Sequence, residues 1–216
     1  WKISRRHILW AIIRMGLDRI SLWHAPGITF WKLLGAGKGE TFTPKDADPR
    51  RWGLLVVIDP KDVERFDSSA MINRWRRKSL SEFSADLSPI SVHGQWSKKN
   101  PFSALSQSSD KNWSGPIAAI TRARIKWRKN LIFWRSVPPV TKSLHSSEGL
   151  VAAIGIGEAP IGLQGTFSLW ESAEAVRNFA YRGEAHKAAI AATHREDWYA
   201  EEMFARFAIT KSSGAL

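Results

Sequence analysis

The alternation of apolar and polar positions divides the chain into two halves that run in the same order. In the second half, "PIAAITRARIK" (Pro116 to Lys126) alternates as a strand and sets Ala118, Ile120, Arg122 and Arg124 on one face. "WRKNLIFWRSV" (Trp127 to Val137) reads as a helix stopped by Pro138 and Pro139. Gly149 to Trp170 then forms two apolar strands joined by a turn, with Leu163, Phe167 and Leu169 alternating with Gln164, Thr166 and Ser168. Ser172 is placed to cap the next helix, a further helical run covers Glu184 to Asp197, and a last strand spans Glu202 to Thr210. The order β-α-β-β-α-β is that of a ferredoxin-like unit.

The first half predicts a helix over Arg5 to Leu17 and strands over Ile28 to Leu34 and Trp52 to Ile58. Helices from Pro60 to Ser84 and a strand over Ile90 to Trp96 follow. Its opening strand is lacking, and there is no initiator Met. The pattern therefore places that strand upstream of Trp1 and predicts a vacancy in the first sheet. Both halves bring an apolar run into a Gly-x-Gly, at Gly35 and Gly37 and at Gly155 and Gly157, which marks an internal repeat. The expected fold class is α+β, with two ferredoxin-like repeats forming an intramolecular dimeric α+β barrel. Residues 1–100 and 115–216 would be the repeats and the Ser- and Lys-rich 101–114 the linker. In that arrangement helices cover the outside and the inner faces line a cavity. The alternative is a sheet with one face in water.

Composition narrows the classes. With 216 residues, 44% hydrophobic and 24% charged, the chain is long and apolar enough for a folded core. No apolar run approaches the roughly 20 residues that span a bilayer, and the charged start is unlike a signal peptide, so a cytoplasmic location is expected. The absence of cysteine excludes disulfides, thiolate metal sites and cysteine nucleophiles. A net charge of +12 draws a protein to polyanions, nucleic acid or an anionic membrane face, and also serves solubility. The 12 tryptophans suit a core, an interface with a membrane, or a pocket for a flat apolar ligand.

Several chemistries have no motif to carry them. "GAGKG" (Gly35 to Gly39) fits no phosphate-loop spacing, and its glycines are expected to be turn residues with positive φ. Neither a zinc-hydrolase histidine pair nor a Gly-x-Ser-x-Gly elbow occurs. His186 and His194 share a predicted helix about 12 Å apart, too far to hold one ion. His186 shares a helix face with Ala189, Ile190 and Thr193, with Ala185 and Ala192 beside it, so it suits either a histidine packed in a core or one that a broad planar group such as haem approaches closely. Arg122, Arg124 and Arg206 are candidate partners for haem propionates, or solvated strand charges.

The runs "FWKLLGAGKGETFTP", "GPIAAITRARIK", "IGIGEAPIGLQGTFSLW" and "DWYAEEMFARFAI" resemble the spheroidene monooxygenase family of acyclic-carotenoid ketolases, in matching order from about Ile12 to Ile209. The resemblance implies a haem-iron oxygenase that inserts a keto group into a carotenoid such as spheroidene, using O2 and an unidentified electron donor. It places His186 where the family also has a histidine, and so implies an axial ligand there. A membrane-borne substrate implies peripheral contact with anionic lipid rather than specific nucleic-acid binding. "RWRRK" (Arg74 to Lys78) and the truncated start depart from the family. A haem enzyme of the same fold on a smaller substrate, such as a dehydratase, and a non-enzymatic basic binding barrel are the competing readings.

Overall fold

Strands that alternate small or apolar residues with polar ones build the fold. In the computed structural model, which describes residues 1–37, 46–105, 113–158, 163–182 and 198–216, nine strands form one antiparallel sheet within a mixed α+β architecture. The strands are β1 (Lys2–Ile3), β2 (Ile28–Gly37), β3 (Ala47–Ile58), β4 (Ser79–Ser81), β5 (Phe83–Gly94), β6 (Ile117–Ile125), β7 (Leu150–Gly157), β8 (Leu163–Trp170) and β9 (Tyr199–Gly214). The helices are α1 (Ile8–Trp23), α2 (Val63–Asp67), α3 (Ala70–Lys78), α4 (Asn130–His145) and α5 (Ala173–Arg182). The strand order is β4-β1-β3-β2-β7-β8-β6-β9-β5. Its two end strands, β4 and β5, are separated in sequence by Glu82 alone.

One face of the sheet carries the principal core, in which Phe30, Leu34, Ile120, Leu169, Met203 and Phe207 meet Trp96 and Phe102. The other face takes the helices. Leu144 of α4 and Val176 of α5 pack on Ile117 and Trp170 of the second half. In the first half, Leu22 of α1 meets Met71 and Ile72 of α3. Alternation along β6 and β9 brings Ala118, Ile120, Met203, Ala205 and Phe207 into the principal core.

Tryptophans hold α1 and α3 together. Trp75 is stacked with Trp1 at 5.2 Å between ring centres and meets Trp10 edge-on at 4.9 Å, with Trp52 at 6.5 Å. Beneath them Asp18, fully buried, accepts from Trp75 Nε1 at 2.7 Å and from Arg14, with Arg74 at 3.6 Å. "RWRRK" is thereby partly a structural element: Arg74 and Trp75 satisfy a buried carboxylate, and Arg76 binds Asp67 and Glu82.

Four expectations are corrected. The place predicted to be vacant beside β3 holds β1, and the Trp1 ammonium and carbonyl continue the pairing to Trp52 at 2.8 and 2.9 Å. Two residues show no alternation, so this strand has no signal in the sequence. Helix α4 runs through Pro138 and Pro139 to His145, because the burial of Val137, Thr141 and Leu144 outweighs the backbone bonds that the prolines remove. The helical run from Pro60 ends at Lys78, where the basic last turn gives way to the extended Ser79. Gly35 and Gly37 lie inside β2 rather than in a turn: Gly35 pairs with Gly157, Ala36 with Ile156 and Gly37 with Gly155. A side chain at Gly37 would meet the Asp46 carbonyl oxygen at 2.7 Å, so close backbone approach requires glycine there. Of the expected linker 101–114, residues 106–112 lie outside the described residues.

Candidate functional site

At one end of the principal core a chain of charges crosses between the two halves. Alternation along β6 carries Arg122 inward with Ala118 and Ile120, as the sequence predicts, and leaves it 2% exposed. Its Nη2 donates to Glu158 Oε1 at 3.0 Å and its Nη1 donates to Glu201. Lys32 of β2 donates to the other Glu158 oxygen at 2.6 Å, and Trp96 Nε1 donates to Glu158 Oε1 at 2.7 Å. Glu201 also accepts the backbone N–H groups of Ser97 and Lys98 at 3.1 and 2.6 Å. Those two residues hold the left-handed backbone, with φ of 58° and 63°, and that turn directs both N–H groups at the carboxylate. The Arg122 guanidinium lies 5.6 Å from the Trp96 ring centre.

Burial alone would raise the Glu158 pKa, but the hydrogen bonds and charges of Lys32, Trp96 and Arg122 outweigh it and hold the carboxyl below its ordinary value. Glu201 follows the same pattern: burial opposes, while the Lys98 N–H, Arg122 and the Ser97 N–H lower it. Both are ionised at neutral pH and act only as acceptors, so the cluster of two cations and two anions is balanced and serves positioning. The linkage has a definite sign. A carboxylate depressed below its ordinary 4.5 contributes stability that is complete above that pH and is lost as pH falls through the lower folded value. The melting midpoint is expected to drop below about pH 4.5, and less steeply in Glu158→Gln, when followed by circular dichroism across an acid series.

Beside this cluster opens a cleft of about 420 Å³ lined by Gly94, Gln95, Lys98, Arg124, Ala200, Glu201 and Glu202. Arg124, two residues beyond Arg122 on the same face, is exposed at this mouth. Arg206 is elsewhere. It pairs with Ala119 on the face that carries the helices, and its Nε donates to Ser91 at 2.8 Å.

No protein-family model matches the chain. Over 209 residues it is 34% identical to spheroidene monooxygenase of Cereibacter sphaeroides, an alignment covering 95% of this chain and 63% of that protein. The Rhodobacter capsulatus spheroidene monooxygenase is 35% identical over 209 residues, covering 95% of this chain and 86% of its own. The chain belongs to the spheroidene monooxygenase family. The Rubrivivax gelatinosus member is 33% identical over 183 residues, covering 84% of this chain and 69% of its own. Less than two thirds of the Cereibacter protein's length is represented here. A solved structure from Fusobacterium nucleatum covers all of this chain and 93% of its own at 11% identity, with a TM-score of 0.44, too low to bear on function.

Within this family's chain, the residues expected to hold a haem separate. His186 and His194 lie outside the described residues. Arg122 spends both ends of its guanidinium on Glu158 and Glu201, Arg124 stands at the cleft, and Arg206 is on the opposite face. The three arginines therefore do not converge on one pair of propionates. The sequence reading missed Lys32, Trp96, Glu158 and Glu201. One signal was present: Glu201, Met203, Ala205 and Phe207 alternate along β9, which places a carboxylate on the inward face beside Arg122.

Proposed function

We propose that this chain is a monooxygenase that converts a methylene group of an acyclic, spheroidene-type carotenoid into a ketone. The likeness along 95% of its length to proteins named for that activity carries the reading. Two hydroxylations at one carbon suffice. In each, one atom of O2 enters a C–H bond and the other leaves as water, with two electrons from a donor and two protons. The geminal diol then loses water.

The architecture proposed for this work is the pair of ferredoxin-like repeats closed as an intramolecular dimeric α+β barrel. Three observations support it. Read from β4 and from β9, each half has the strand order fourth, first, third, second. The β2–β7 pairing is symmetric about Ala36 and Ile156. The two ends of the sheet are consecutive strands. In this arrangement the Arg122 cluster fixes one half against the other beside the cleft that β5, β6 and β9 line, and the packed core face excludes water.

Haem is proposed as the cofactor, with His186 as its ligand and none of the three arginines assigned to its propionates. When bound, a haem with one imidazole ligand supplies oxygen binding and activation. Product analysis tests the reading: complete protein given spheroidene, O2 and electrons is expected to yield the ketone, and carotenoid recovered unchanged goes against it.

A further inference from the structure

Helix α1 is apolar on both sides. Its inner side buries Ala11 and Leu22 and places Asp18 under Trp75. Its outer side presents Leu9, Ile12, Ile13, Leu17, Ile20 and Trp23, each between 48% and 79% exposed. At roughly 100° per residue these six positions, with exposed Gly16 among them, cover about 140° of one continuous arc. A soluble surface helix should carry polar residues there, and a helix apolar all round belongs in a core or a lipid phase. Among the described residues nothing covers this face.

The exposed charges on the helix and in the turn before it are basic, while Asp59 and Asp62 lie past its C-terminal end, beside Gly27. Arg5 and Arg6 precede the helix, and Arg19 borders the arc, all exposed. The acidic residue of the helix, Asp18, is buried and paired with Arg14 and Arg74. Arg77 and Lys78, at the end of the neighbouring α3, are exposed as well. Trp23, at the far end, has the amphipathic ring favoured at the level of lipid headgroups. The helix is 16 residues, about 24 Å long, shorter than the roughly 30 Å hydrocarbon core, and no described helix is long and apolar enough to cross a membrane.

We infer that α1 is an interfacial helix that lies in the plane of an anionic bilayer, with Leu9, Ile12, Ile13, Leu17, Ile20 and Trp23 sunk among the acyl chains and the arginines at the headgroups. A second copy of the chain would satisfy the apolar arc equally, but it would bring the exposed arginines of the two copies together without acidic partners on the helix. The basic border selects the anionic surface. This docking stands independently of the reaction, because it needs no substrate and no cofactor.

Flotation of the complete protein with vesicles of equal phosphatidylcholine and phosphatidylglycerol tests it, alongside sedimentation without lipid. The wild type is expected to float at low salt, and Ile13→Glu/Leu17→Glu to partition at least tenfold more weakly while melting normally. Should that variant unfold, Ile13→Gln/Leu17→Gln, which adds no charge, is expected to weaken flotation in the same direction. Equal flotation of wild type and a folded variant would overturn the inference, since the basic surface elsewhere would then be sufficient. Wild type that ignores the vesicles overturns it too, and a dimer that the variant splits would assign the face to a second copy.

Discussion

Arg122→Ala is expected to lower stability by about 3–5 kcal/mol, the cost typical of removing one partner from a buried ion pair. The side chain is nearly inaccessible and holds Glu158 through one nitrogen and Glu201 through another. Without it Glu158 keeps Lys32 and Trp96, and Glu201 keeps the Ser97 and Lys98 N–H groups, yet both carboxylates lose a countercharge in a site where burial already opposes ionisation. Urea unfolding at neutral pH measures the loss. Arg122→Lys should recover only part of it, because one ammonium cannot bridge two carboxylates as a planar guanidinium does. Arg122→Met combined with Glu201→Gln should cost less than the sum of the two single changes, since the partners share one interaction. A loss under about 1 kcal/mol for Arg122→Ala would place this cluster among ordinary exposed ion pairs.

His186→Ala is expected to remove most of the haem, or shift its Soret band, and to take ketolase activity with it. His194→Ala should leave both nearly unchanged, because eight residues turn it to another part of the predicted helix. A core histidine removed from a packed helix can unfold a protein and imitate ligand loss, so the melting curve must accompany the spectrum. A folded His186→Ala protein with the wild-type spectrum and activity would exclude this ligand. His24, His93 and His145 would then be the next to replace.

Much of the element order was legible because strands such as β6 and β8 alternate over eight or nine residues and bury one face. The same alternation placed Arg122 and Arg124 together correctly. It fails where the deciding contacts are distant. Lys32 and Glu158 are 126 positions apart, and nothing local in either segment reveals the pair. Gly35 and Gly37 read as turn residues because glycine serves both turns and close strand approach, and only the pairing with Gly157 and Gly155 separates these roles. Pro138 and Pro139 are strong local stops that tertiary burial overrides. Asp18 looks like a polar interruption of an apolar helix until Trp75, 57 positions away, is seen to donate to it. For the cofactor, the helix pattern alone favoured His186 as a packed core histidine, and family likeness reversed that reading.

The most direct test of the central claim is to give the complete, haem-loaded protein spheroidene in detergent with an electron source under ¹⁸O2, and to follow the carotenoid by mass spectrometry. Detergent delivery makes the result independent of membrane docking. The account predicts a hydroxylated intermediate carrying the heavy isotope, followed by the ketone. Unchanged carotenoid from folded, haem-loaded protein, or an oxygenated product whose intermediate carries only oxygen from water, would contradict it.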